Sequence, residues 1–396
     1  RPRPRPGPGH PGRAMESPAS RAGTRSAAAS RASDRPASTC QEEGEEPSPG
    51  SAAEGEGAGG AEEAEEVGPE SAGEAGGGAE EADPEDAEGL ENPWNLVRIA
   101  MGSTAGEPWR LKQALAWPPG TFELFEVPEG CTWWDQFQGT QTFEDFKRDM
   151  PCRPNSTNGA IDFVLVGDAG RIWESVRLEA LLAHLEVFIG FEVVLRQAPL
   201  ELGQWAAPRT QPDGRQQVAA HHVLARLEGS ADPRSACTMG LMDTDLYPPK
   251  GPAFVSSASD PAHRVAVLSF ARCAAARAEG RDALSALLVK GLCRECLRLC
   301  GVGECRLLRC LMNPLPPGPT QAQAAGALPF KLCCVCLRKL QWLTQGDLLD
   351  RYASLPAVLS DWFADECSWL WQRMAQLGLP TYASLQSPSP LRRKKK

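Results

Sequence analysis

The spacing of apolar positions changes along this chain, and the changes mark out alternating strands and helices. Residues 160–166 (AIDFVLV) form a short apolar, β-branched run bounded by glycine and aspartate, the pattern of a buried strand. Val176, Leu178, Leu181, Leu182, Leu185 and Phe188 then recur at helical spacing over 175–188, and 191–195 returns to strand. Strand, helix, strand in that order predicts a parallel crossover. Further on, the pattern predicts a helix over 218–227, strands over 237–246, 254–257 (an edge strand) and 264–271, and a long helix over 282–300. Two more helices are expected over 332–343 and 348–371, and a short one over 142–147 with Phe143 and Phe146 on one face. The Asn-Pro-Leu-Pro-Pro-Gly-Pro run from Asn313, and the stretch after it to Ala327, are read as loop. The total is an α/β (α+β) domain with a mixed sheet and a cysteine-rich C-terminal part.

Before residue 93 the pattern is absent. Residues 1–40 are rich in Arg, Pro, Ala and Ser, and 41–91 are almost entirely Glu, Gly, Ala, Ser, Pro and Asp, too poor in apolar groups to offset the entropy of ordering. Residues 1–92 are therefore expected to be a disordered, acidic, low-complexity region. An aromatic-rich N-terminal extension follows over 93–159, then the folded domain over 160–385 and a basic tail over 386–396. Arg1 is not an initiator and Met15 is the first methionine, so residues 1–14 are read as a fragment edge or a leader. The C-terminal tryptophans Trp362, Trp369 and Trp371 are expected to pack on the core or on the extension.

The net charge of −10 comes mostly from the N-terminal third and leaves no footprint for nucleic acid. No apolar run approaches the ~18 residues of a membrane span, and no secretory leader is recognised. Fourteen cysteines in a chain of 396 residues then read as belonging to a reducing compartment, cytoplasmic or nuclear, where clustered cysteines are metal ligands. Asn155-Ser-Thr157 fits a glycosylation sequon and is read as a polar turn.

The strongest chemistry lies in residues 293–336. Cys305, Cys310, Cys333 and Cys336 form two close pairs across a Pro-rich segment, and thiolates so spaced can converge on one tetrahedral zinc ion. Just before them, Arg294-Glu295-x-x-Arg298-x-x-Gly301-x-x-Glu304 keeps the skeleton of the H-E-x-x-H-x-x-G-x-x-H zinc peptidase motif, with all three His positions replaced. The run from Glu304 to Met312, with Leu332-Cys333-x-x-Cys336-Leu-Arg-Lys-Leu340, closely resembles the archaemetzincins. Supporting similarity lies in Leu241-Met-Asp-Thr-Asp-Leu-Tyr-Pro248 and Val265-Ala-Val-Leu-Ser-Phe-Ala-Arg272. The resemblance covers about residues 133–352. It implies a metzincin-like zincin domain, an active-site helix over 282–300, a substrate-aligning edge strand, a structural zinc on the four cysteines, Glu295 as general base and Met312 as the methionine beneath the catalytic metal. It also favours Cys333 over its neighbour Cys334 as ligand. Asp243 and Asp245 fall on a structural strand rather than in catalysis.

The replaced positions change what that resemblance can deliver. Arginine offers a metal no lone pair and stays protonated to about pH 12, so Arg294 and Arg298 repel a dication, and Glu304 alone does not hold one. Glu304 is expected to bridge Arg294 and Arg298, restoring by ion pairing the cross-link an ion would have made. Cys293, Cys296 and Cys300 share one helical stripe and are expected to be core. His184, His221 and His222 offer no ligand pair. The expected function is that of a metallopeptidase homologue which keeps the structural zinc, has lost catalysis, and binds a peptide or protein in its cleft. The alternatives are an active zinc peptidase of aminopeptidase type with non-standard ligands, and a zinc-stabilised interaction module.

Overall fold

Strand β1 (Ala160–Val166) is central because both of its faces are covered, which is why its sequence is a continuous apolar run. Its alternation divides the domain: Ile161, Phe163 and Leu165 enter one core, and Val164 and Val166 a second on the opposite face. The computed structural model describes residues 92–127, 139–150, 159–250, 253–316 and 321–380. The expectations for residues 1–91, for parts of the aromatic-rich extension including the sequon at Asn155, and for the basic tail lie outside those residues.

β1 pairs in parallel with β2 (Val193–Leu195) and β5 (Ser235–Met242). β8 (Val265–Ser269) continues in parallel on β5, and β7 (Ser257–Asp260) closes the sheet as an antiparallel edge, giving the order β2-β1-β5-β8-β7. The predicted crossover is made by α4 (Ala169–Ser175) and α5 (Leu178–Ile189). A small second sheet contains β3 (Arg209–Thr210), β4 (Gln216–Ala219) and β6 (Asp245–Tyr247), and α6 (Ala220–Ser230) covers the second core. The short helix α7 (Ala274–Glu279) leads into the long helix α8 (Arg281–Leu299), which lies on the first core. Gly291 permits that approach: a Cβ there would stand 3.1 Å from Leu268 of β8.

Several boundaries differ from the sequence reading, each for a local reason. The strand expected over 237–246 breaks at Asp243-Thr244, and β6 joins the other sheet because Asp245 is tied to Gln217 (2.7 Å) and Arg272 (2.5 Å). The edge strand begins at Ser257 rather than 254, where Val255 makes only an isolated bridge to Leu246. The helix expected over 348–371 is two helices, α11 (Leu348–Leu359) and α12 (Ala364–Gln376), whose apolar periods run on across the break. Residues 321–327, read as loop, form helix α9 (Gln321–Ala327); six of its seven residues are Ala or Gln, good helix formers that outweigh the prolines upstream.

The N-terminal segment is not an appendage. Helices α1 (Pro93–Met101), α2 (Trp109–Leu115) and α3 (Phe143–Asp149) share the first core with α10 (Cys334–Thr344), α11 and α12. Three arginines satisfy the carbonyls that helix ends leave unpaired. Arg338 of α10 donates to the carbonyls of Met101 and Ser103 (2.7 Å) at the end of α1, and Arg351 of α11 to Val187 (3.0 Å) near the end of α5. Arg373 of α12, 1% exposed, donates to Gln113, Ala114 (3.0 Å) and Ala116 at the end of α2. As expected, the tryptophans also tie the C-terminal helices down: Trp369 donates to the Thr121 carbonyl (3.0 Å), and Trp362 stacks on His184 at 4.2 Å.

Arg373→Met keeps the aliphatic volume and strands three carbonyls at a buried helix end. It is expected to lower unfolding free energy by about 2–4 kcal/mol in a urea titration. A loss below about 0.5 kcal/mol would show that the α2 end is satisfied without it.

Candidate metal centre and the altered motif beside it

The two cysteine pairs arrive from different elements. Cys305 and Cys310 lie on the loop after α8, while Cys333 is the N-cap of α10 and Cys336 is in its first turn, where the helix dipole favours thiolates. All four are buried, and their sulfurs lie within 4.8 Å of one another. Cys305 and Cys333 are 3.6 Å apart, Cys310 and Cys336 3.9 Å. Zinc–sulfur bonds of about 2.3 Å in a tetrahedron place sulfurs about 3.8 Å apart, so this group can hold a zinc ion. Hydrogen bonds from the neighbouring thiols hold the Cys305 thiol well below its ordinary range, whereas burial pushes Cys310 well above it. A bound cation favours ionisation of the four thiols.

Asn313 organises this loop, and sequence reading assigned it no role. Fully buried, it accepts from the Cys310 N–H (2.8 Å) and donates to the carbonyls of Cys305 (2.7 Å) and Leu308 (2.9 Å). The Met312 N–H in turn points at Cys310 Sγ (3.4 Å), an outer-shell contact that orients the sulfur. Cys334 is buried but outside the converging set. Cys293, Cys296 and Cys300 are core, as expected, with Cys296 facing Cys237 of β5 at 3.9 Å.

The altered motif occupies the last turns of α8, and Gly301 (φ 80°) then turns the chain away, a conformation that favours glycine. Arg294 is 4% exposed. Its guanidinium donates to the carbonyls of Leu311 (3.3 Å) and Asn313 (2.6 Å), on either side of buried Met312, and to Glu304 Oε1 (2.6 Å). Burial lowers its pKa from the usual arginine range, and Glu304 opposes that shift. Glu304 does not bridge both arginines as expected. Arg298 stands one turn further along α8 and approaches Glu295 Oε1 at 3.7 Å, so the four charges form two separate pairs. Glu295 is buried and accepts a hydrogen bond from Ser257 Oγ (3.0 Å) on the edge strand. These groups line a cavity of about 90 Å³ between α8, the edge of the sheet and α9.

Known proteins with this sequence pattern agree on one family. Human archaemetzincin-1 is 32% identical over 186 residues, 38% of this chain and 36% of its own length. Mouse archaemetzincin-2 is 24% identical over 292 residues, 65% of this chain and 80% of its own. Over part of its length the chain is similar to the archaemetzincins. It spans 36% to 42% of the length of the archaemetzincin-1 relatives from human, mouse and rat. No family model matches it. The crystal structure of archaemetzincin from Methanopyrus kandleri aligns over 49% of this chain and 99% of its own, with 21% identity and a TM-score of 0.39. That of archaemetzincin from Archaeoglobus fulgidus, complexed with malonate, aligns over 46% and 99%, with 20% identity and a TM-score of 0.35.

In this archaemetzincin homologue the histidines among the described residues stand elsewhere. His184 is buried against Trp362 and Phe363, His221 and His222 are tilted neighbours at the start of α6, and His263 pairs with Asp260 (2.8 Å) and Glu228 (3.3 Å) on the surface. Asp243 pairs with Arg171 (3.1 Å). Ser257, like Asn313, escaped sequence reading, because a serine on a short polar strand carries no signal until the fold brings it to Glu295.

The pairing makes a double-mutant prediction. Arg294→Met and Glu304→Gln should couple by about 1–3 kcal/mol in unfolding free energy, whereas Arg298→Met and Glu304→Gln should add to within about 0.5 kcal/mol. Equal coupling of both arginines to Glu304 would restore the three-membered bridge and contradict the geometry.

Proposed function

We propose that this archaemetzincin homologue holds a single zinc ion, on Cys305, Cys310, Cys333 and Cys336, and works as a peptide- or protein-binding protein rather than a peptidase. The observation that carries the reading is the placement of Arg294. A buried guanidinium stands at the first ligand position of the motif and is committed to two main-chain carbonyls and Glu304. It fills the place with positive charge and has no lone pair to offer a metal. Glu295 Oε1 accepts from Ser257 and is approached by Arg298, while its Oε2 is buried without a hydrogen-bond partner among the described residues. Among the described residues, the four cysteines are the group of three or more His, Cys, Asp or Glu side chains whose ligand atoms converge. That favours this reading over a peptidase with recruited ligands.

A zinc ion on the four sulfurs supplies a cross-link between the 305–313 loop and α10. The protein's own part is to hold the sulfurs: Asn313 fixes the loop carbonyls, and the α10 N-terminus presents Cys333 and Cys336. The family likeness supports a cleft shaped for peptide, with edge strand β7 along it.

Metal analysis of the purified chain should give one zinc per molecule, and chelator-sensitive cleavage of small peptides should be absent. Cys336→Ser should release the ion and lower the melting temperature, whereas Cys334→Ser should leave both unchanged. Replacing Arg294, Arg298 and Glu304 together by His should add a second zinc. Two zinc ions in the unmodified protein, or peptide cleavage abolished by Glu295→Ala, would overturn the proposal.

A further inference from the structure

The cavity beside Arg294 has a chemistry of its own. Its lining includes the apolar side chains of Leu268, Leu287, Leu288, Leu315 and Ala325, together with three serines and a glutamine. A dry cavity of about 150 Å³ takes the six carbons of benzene, so the roughly 90 Å³ here takes about three or four carbons. That is the size of a valine or leucine side chain, and too small for an aromatic ring.

The charged part of the lining is two carboxylates and two guanidinium groups, and hydrogen-bond accounting separates them. Arg294 makes three bonds, Glu304 accepts from Arg294 at Oε1, and Glu295 accepts from Ser257 at Oε1, each carboxylate keeping a buried Oε2 without a partner among the described residues. Arg298 differs. Its side chain is 41% exposed, against 5% for Arg294 and Glu295 and 21% for Glu304. Its nearest charged neighbour among the described residues, Glu295, lies at 3.7 Å, beyond hydrogen-bond distance, and its side chain makes no hydrogen bond there. A guanidinium with its donors open to solvent, at a partly apolar cavity, fits a carboxylate in a two-pronged arrangement. The adjacent Glu295 and Glu304 disfavour a doubly charged phosphate.

Building on the reading that no catalytic ion is held here, we propose that this site binds an aliphatic monocarboxylate, its charge on Arg298 and its three- or four-carbon tail in the cavity. Two sources carry that chemistry: the C-terminal valine or leucine of a peptide, and a free branched short-chain acid. In either case the altered residues turn a place for hydrolysis into one for capture.

Calorimetry on the full chain tests this with 3-methylbutanoate, with acetyl-alanyl-valine as the free acid, and with the same dipeptide as its C-terminal amide. The acids should bind saturably, and the amide should bind the unmodified protein at least about tenfold more weakly. Arg298→Met should weaken the acids by a similar factor, and Ala325→Phe, which fills the cavity, should weaken both. A dipeptide acid tighter than 3-methylbutanoate assigns the site to peptide termini, and equal binding assigns it to free acids. Equal binding of acid and amide, absence of binding by both acids, or an unaffected Arg298→Met would overturn the inference. Zinc content measured on the same sample separates the failures: one zinc without acid binding removes this inference alone, whereas a second zinc removes the reading beneath it.

Discussion

A guanidinium and a divalent cation cannot occupy one place in a protein interior, and that constraint governs how the end of α8 is arranged. Arg294 is buried, and charge without partners is costly there, so everything around it supplies acceptors: Glu304, Leu311 and Asn313. Those contacts draw the 304–313 loop back onto α8. One charged pair and two carbonyl bonds link the loop to the helix, and Arg298 is left to face Glu295 and solvent.

The same loop also carries half of the cysteine centre, so two adjacent sites share one backbone. Asn313 is where they meet. Its side chain fixes the carbonyls of Cys305 and Leu308, while its own carbonyl accepts from Arg294. Met312 lies between, fully buried, its N–H on Cys310 Sγ. A change at Arg294 is therefore felt at the sulfurs, and the loss of a sulfur is felt at Arg294. The C-terminal helices extend this economy of polar contacts, because Arg338, Arg351 and Arg373 each close the end of a helix packed beneath them.

Sequence reading recovered what periodicity and spacing can carry. The order of β1, α5, β2, β5, β8 and α8 and the convergence of the four cysteines were legible in the chain. What was not legible depended on distant contacts. The periodicity of α11 and α12 runs through their break, so nothing local separates them. Helix α9 was hidden by the prolines before it, although its own residues favour helix. The expected bridge from Glu304 to both arginines assumed that residues four apart on a helix share one partner. In the folded chain Arg294 turns to the Met312 loop and Arg298 to Glu295. Asn313 and Ser257 are ordinary residues in sequence and acquire roles only through groups brought to them from elsewhere.

The most direct test of the central claim is a crystal structure of the zinc-loaded protein with anomalous scattering recorded on both sides of the zinc absorption edge. One anomalous peak, equidistant from the sulfurs of Cys305, Cys310, Cys333 and Cys336 and with none beside Arg294, is the predicted result. A second peak within bonding distance of Glu295 or Glu304 would contradict the account.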